Sequence, residues 1–157
     1  MTEVAYLQTP IGISEFKGDE NGLISVRVLD KNVPIGIIPE VLEDAIHQFR
    51  EYFEGKRRKF DLTLNPEGTS FQKKVWELLQ EIPYGKTISY LELSKRLGNP
   101  KAIRAAAAAN GKNPLWIIVP CHRVIGSNGD LTGYAGGLHR KKWLLEHESP
   151  AKQMALF

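Results

Sequence analysis

The sequence predicts an α+β protein: a small N-terminal α/β domain of strands plus one amphipathic helix, followed by a mostly helical C-terminal domain with a helix-turn-helix. Three observations predict it. Short alternating apolar runs fill most of the first sixty-odd residues, helical spacing takes over from Phe71, and the sign of the charge changes at about the same place. Residues 1–70 hold eight Lys/Arg against twelve Asp/Glu, whereas residues 71–150 hold twelve against six. An acidic part ahead of a basic part points to a polyanionic partner for the second. The domains are placed at residues 1–66 and 67–149, with 150–157 as a tail.

Residues 4–8 and 11–16 read as short strands joined by the turn "TPIG", and "GDENG" at 18–22 leads into the alternating "LISVRVL" at 23–29. "PEVLEDAIHQFREYFEGK" sets Leu42, Ala45, Ile46, Phe49, Tyr52 and Phe53 at helical spacing and closes at Gly55. "FDLTL" is read as a last strand before the polar linker "NPEGT". "SFQKKVWELLQEI" then aligns Phe71, Val75, Leu78 and Leu79 on one face and stops at Pro83-Tyr84-Gly85. "SYLELSKRLG" opens on Ser89 and Glu92, the spacing of a capping box, and ends at Gly98. "NPKAIRAAAAANG" follows at once, with Pro100 suited to a first helical turn and Gly111 to a C-terminal cap. Two short helices across a tight glycine turn make the helix-turn-helix. A buried strand from Leu115 to Val119, a glycine-rich loop through Gly137 and a final helix around "RKKWLLEH" complete the chain.

At 157 residues, 42% hydrophobic and 25% charged, the composition is that of an ordinary globular protein with a real core. No apolar stretch approaches a membrane span, and "MTEVAYLQTP" lacks the basic-then-apolar pattern of a signal peptide. One cysteine cannot form an internal disulfide, and no Cys/His cluster offers a metal site, so neither metal nor cofactor is expected. A free thiol suits a reducing compartment, and the expected location is the cytoplasm.

Chemistry centres on that thiol. In "IIVPCHRVIG" Cys121 sits between a proline and a His-Arg pair. It is either a small hydrophobe at the end of a buried strand or a nucleophile with its activating group next door. Burial against Ile117, Ile118 and Val119 raises a thiol pKa, so activation needs a base or a cation within reach. His122 and Arg123 adjoin it, although strand neighbours point to opposite sides, which leaves room for a bridging water. A basic His122 needs an orienting acceptor, and Glu146 and Glu148 are the candidates. The five alanines at 105–109 are either simple helix formers or a smooth face able to approach a narrow groove, with Arg104 reaching inward at its edge.

The blocks "IPYGKTISY", "RAAAAANGKNP", "PCHRV", "GYAGGL" and "KKWLLEHE", in order from about residue 71 to 148, resemble the O6-alkylguanine-DNA alkyltransferases, also called methylated-DNA–protein-cysteine S-methyltransferases. Residues 1–65 fit that family's variable N-terminal domain loosely. The resemblance implies an O6-alkylated guanine, O6-methylguanine above all and O4-methylthymine as a further candidate, flipped out of duplex DNA before a thiol can reach it. Arg104 corresponds to the finger that fills the vacated stack. Tyr90 corresponds to the residue that crowds the neighbouring phosphate and donates a hydrogen bond to the departing guanine. Ala105 and Ala106, on the alanine-rich helix, lie in the minor groove of such a complex, and Arg123 joins the DNA-binding set.

Transfer is then in-line displacement at carbon, with no oxyanion hole. Cys121 attacks, His122 accepts the thiol proton through water, Glu148 holds His122, and Asn113 braces the turn and the imidazole. Val124, Tyr134 and the backbone at Ala135 wall the pocket. A thioether is a poor leaving group and there is no second thiol, so one molecule repairs one lesion. A monomer bound to duplex DNA is expected. Three departures stand out: the lone cysteine puts the structural zinc of some relatives in doubt, Ala107 replaces a frequent Gly, and Cys121 separates the chain from the branch with tryptophan there.

Gln153, Leu156 and Phe157 in the tail resemble the peptide by which bacterial DNA-processing proteins bind the replication sliding clamp. Two rivals stay open: a cysteine hydrolase using Cys121 and His122, and a non-enzymatic DNA-lesion-binding module with an inert thiol.

Overall fold

The computed structural model describes residues 1–126, 134 and 136–149. It divides into two units, of which the first is Met1–Glu67 together with Pro114–Trp116, and the second holds the rest.

The first unit is an antiparallel meander of β1 (Glu3–Thr9), β2 (Gly12–Asp19) and β3 (Gly22–Leu29), in that order, with α1 (Glu40–Phe53) packed on β1 and β2. β1 and β3 lie within a residue of the expected ranges, whereas β2 runs on to Asp19, into the turn cluster expected at 18–22. Phe16 and Phe49 meet edge to face at 4.7 Å, and Leu42, Ala45, Ile46 and Tyr52 complete the buried face of α1. "FDLTL" does not become a strand. Gln48 takes both backbone groups of Asp61, donating to its carbonyl at 3.0 Å and accepting its N–H at 2.9 Å. With those groups satisfied by a side chain, only Leu64 bridges Leu23.

The expected strand Leu115–Val119 is also overturned. Val26 donates to the Pro114 carbonyl at 2.8 Å and accepts from Trp116 N–H at 3.2 Å, so residues 114–116 pair with β3 inside the first unit. Ile117 then turns the chain at φ 71°, a left-handed conformation rare for a β-branched residue, and among the described residues the backbone bonds to β3 end at Trp116.

The second unit contains α2 (Ser70–Leu79), α3 (Tyr90–Arg96), α4 (Ile103–Gly111) and α5 (Leu138–His147), with β4 (Ile88–Ser89) parallel to β5 (Val124–Ile125). Thr69 and Gln72 form a full capping box on α2, a start signal the sequence reading passed over. Glu92 N–H donates to Ser89 Oγ at 3.0 Å, while the Glu92 carboxylate pairs with Arg96.

The turn of the helix pair follows from its backbone bonds. Gly98 N–H donates to Lys95 O and Asn99 N–H to Ser94 O, with Gly98 at φ 84°, a Schellman close that a Cβ would strain. Asn99 Oδ1 then takes the N–H of Lys101, and Ala102 N–H closes on Asn99 O. Pro100 is thereby held in the turn, and α4 starts later than expected, at Ile103. Gly111 is the last residue of α4, with Lys112 as cap. Trp76 donates its indole N–H to Ala109 O at 2.9 Å and fixes α2 against α4.

Candidate active site

Asn113 donates its amide N–H to the Val119 carbonyl at 2.7 Å, and the N–H of Cys121 donates to the same oxygen at 2.8 Å. Pro120, at φ −80° and ψ 65°, is the centre of an inverse γ-turn, and its fixed ring angle suits that geometry. Cys121–Arg123 continue as one 3₁₀ turn, closed by Arg123 N–H on Pro120 O at 3.0 Å. The thiol therefore does not end a straight strand. Three residues per turn spread the side chains of Cys121, His122 and Arg123 around an axis, instead of sending neighbours to opposite faces.

All three are buried. His122 Nε2 lies 2.8 Å from Glu148 Oε2. Arg123 reaches the same carboxylate with two donors, Nε to Oε1 at 2.8 Å and Nη2 to Oε2 at 3.0 Å, and gives Nη1 to the Ile82 carbonyl at 2.7 Å. Burial by itself would raise the Glu148 pKa, but the charge and hydrogen bond of His122, with those of Arg123, hold it far below the usual carboxylate range. Burial pulls the His122 pKa down, and Glu148 opposes it. Glu146, the other candidate acceptor, is exposed and pairs with Lys142.

Burial pushes the Cys121 thiol up, while a hydrogen bond from Asn113, the charge of Lys141 and the Tyr134 hydroxyl pull it down. Lys141 is a site residue the sequence reading missed. Wholly out of water, it donates Nζ to the Val124 carbonyl at 2.7 Å and stands 5.9 Å from the centre of the Tyr90 ring. Burial lowers its pKa, and the thiol works against that. A signal was present: Lys141, Leu144 and Glu148 recur at i, i+3 and i+7, and all three are buried.

Cys121, His122, Glu148, Asn113 and Val124 thus come together, with Tyr134 against the thiol and Tyr90 beside Lys141. Two residues expected among the DNA contacts are buried. Arg123 is committed to Glu148 and Ile82, and Ala106 has no exposed surface because it faces the packed side of α4. Arg104 and Ala105 are exposed, and so is Ala108 one turn on from Arg104. Ala135, Gln153, Leu156 and Phe157 lie outside the described residues. No helix among the described residues is long and apolar enough to cross a membrane.

Carboxylate and imidazole in this order, with a thiol on the preceding residue, are the groups that a proton relay to a thiol nucleophile requires. His122 Nδ1 is buried and has no hydrogen-bond partner among the described residues.

Comparison with known proteins agrees along nearly the whole chain. Residues 70–150 match the family profile described as 6-O-methylguanine DNA methyltransferase, DNA binding domain, and residues 4–66 match the profile of that enzyme's ribonuclease-like domain. A methylated-DNA–protein-cysteine methyltransferase of Methanosarcina acetivorans is 49% identical over 150 residues, covering 92% of this chain and 96% of that one. The crystal structure of the Mycobacterium tuberculosis O6-methylguanine methyltransferase superposes with a TM-score of 0.85 at 40% identity, over 100% of both chains. The Mycobacterium tuberculosis OGT in complex with DNA gives 0.84 at 42% identity, over 97% of this chain and 98% of that one.

Proposed function

We infer the roles of the site residues from the premise that this chain belongs to the 6-O-methylguanine DNA methyltransferase family. It binds DNA and repairs it by moving an alkyl group from the damaged base to a protein cysteine. The cysteine is Cys121, since the chain has no other.

The observation that carries the mechanism is the His122–Glu148 hydrogen bond of 2.8 Å beside an open Nδ1. Donation of Nε2–H to Glu148 fixes the tautomer and leaves the Nδ1 lone pair to accept. The thiol proton passes through one water to Nδ1, and the imidazolium formed is held by a carboxylate that stays ionised. The thiolate attacks the alkyl carbon in line. A carbon–sulfur bond forms as the bond to O6 breaks, and the electron pair leaves with the purine. Tyr90 steadies the departing guanine by hydrogen bonding, and the nearby charge of Lys141 favours the anions on both sides of the step. Asn113 holds the γ-turn and the sulfur in place. The product is a thioether, so the protein acts once.

The substrate is O6-methylguanine, with other O6-alkylguanines and O4-methylthymine as further candidates. The base is flipped from the stack by Arg104 while the small exposed face of α4, Ala105 and Ala108, allows close approach along the minor groove. The test weighs the intact protein after incubation with duplex DNA bearing O6-methylguanine. We expect the mass of one added methyl on the peptide holding Cys121, and none in Cys121→Ala; an unchanged mass in the parent rejects the reading.

The tail extends the proposal to a partner. Gln153, Leu156 and Phe157 have the residue types of a clamp-binding peptide. A bacterial sliding clamp is expected to retain the full chain and release one lacking the last five residues; equal retention ends the idea.

A further inference from the structure

The first turn of α5 contains two consecutive buried cations, Arg140 and Lys141, and no acidic residue. This is an unfavourable place for positive charge. Burial desolvates both groups, and the helix dipole points its positive end at them. Lys141 has its place in the site through Val124 and Tyr90. Arg140 has none in the mechanism above, yet its geometry is just as specific.

Arg140 Nη1 donates to the Gly136 carbonyl at 2.9 Å. Gly137 N–H donates to Tyr134 O at 2.9 Å, and Arg140 N–H to Gly137 O at 3.1 Å. Gly137 stands at φ 91°, and a Cβ there would meet the His139 ring at 3.0 Å. Tyr134 is thereby tied to α5 through Gly137 and Arg140. Its hydroxyl is buried and interacts with the Cys121 thiol.

We propose that Arg140 is a positioning residue for alkyl transfer: by tying Gly136 to α5 it aims the Tyr134 hydroxyl at Cys121, where the phenol donates a hydrogen bond to the sulfur as it becomes a thiolate. A neutral thiol is a weak acceptor and a thioether is weaker than a thiolate, so this bond is strongest between reactant and product. No bond to hydrogen breaks, and the proton stays on the phenol oxygen throughout. The Arg140 charge adds to the effect, since it opposes the upward push that burial and the thiol give the Tyr134 phenol. The other groups facing the thiol are Asn113 and Lys141, with His122, Glu148 and Arg123 behind them in the relay. The inference rests on Cys121 being the alkyl acceptor.

The experiment follows iodoacetamide alkylation of Cys121 against pH, which needs no DNA, beside methyl transfer from duplex at saturating concentration. The proteins are the parent, Tyr134→Phe, Arg140→Met and the double variant. A lost hydrogen bond to a charged sulfur is expected to move the alkylation midpoint up by about one pH unit and slow transfer about tenfold in either single variant. The double variant shifts no further, because both changes remove the same bond. An Arg140→Met midpoint equal to the parent's, or a double shift equal to the sum of the singles, overturns the proposal. Should Arg140→Met not fold, Arg140→Lys enters the same cycle under the same two criteria. Failure of Cys121 to take the methyl group appears in the mass experiment alone and leaves the alkylation midpoints readable.

Discussion

Glu148 accepts from His122 at 2.8 Å and from Arg123 at 2.8 and 3.0 Å while almost entirely out of water. Its folded pKa lies below the ordinary carboxylate value, so the stability it contributes is present above pH 4.5 and is lost as the pH falls below that. His122 is also lowered on folding, from 6.5, so the unfolded chain takes up that proton first and stability begins to fall below pH 6.5. Melting temperature is therefore expected to be flat between pH 7 and 8, to drop below 6.5 and to drop again below 4.5. Glu148→Gln leaves Arg123 buried without its anion. It should cost about 3 kcal/mol, slow transfer roughly a hundredfold, and erase the lower step in the melting profile. An identical slope below pH 4.5 in parent and variant would show that the carboxylate is not the group titrating. Cys121 and His122 were legible in the sequence as an adjacent thiol and imidazole, and the family resemblance chose between an inert and a reactive thiol. The pairing of Arg123 with Glu148 was not legible, because the two lie 25 residues apart and only the fold brings them together.

At the scale of elements, periodicity located the helices and the three strands, since both are local properties of the chain. It failed where a backbone found a partner of another kind: Gln48 in place of a strand for Asp61, and a three-residue pairing followed by a reversal at Ile117. "LWIIV" has the composition of a strand, and nothing local announces a left-handed residue in it. The strain can be measured. Ile117 is buried, so removing its side chain costs about 2–5 kcal/mol whichever small residue replaces it. At ordinary positions alanine is the better replacement, but at φ 71° a Cβ costs about 1–2 kcal/mol and glycine has none. Ile117→Gly is expected to be more stable than Ile117→Ala by about 1 kcal/mol in urea titration, with both below the parent. The usual order, alanine above glycine, would mean that residue 117 is not held in the left-handed region.

For the molecule as a whole, the acidic and basic parts read from charge correspond to residues 4–66 and 70–150 of the two matched family domains. The three residues Pro114–Trp116 were not legible as part of the first unit, because membership is decided by pairing across some ninety positions of chain. Their contribution to that unit is large for their number. Leu115 is fully buried and Trp116 nearly so, while the Pro114 carbonyl and the Trp116 N–H give Val26 partners for its N–H and its carbonyl. Loss of these two side chains removes about 3–5 kcal/mol of apolar burial, and the two backbone bonds add about 1 kcal/mol each. A domain of under 80 residues rarely has more than about 3–5 kcal/mol to spare. An isolated fragment of residues 1–67 is therefore expected to lack a cooperative urea transition, although it contains all of β1–β3 and α1. Joining residues 112–118 to its end through a flexible linker should restore that transition, with the near-ultraviolet signal of a packed Trp116. A fragment 1–67 that unfolds as sharply as the extended form would show that the sheet is complete without its fourth segment.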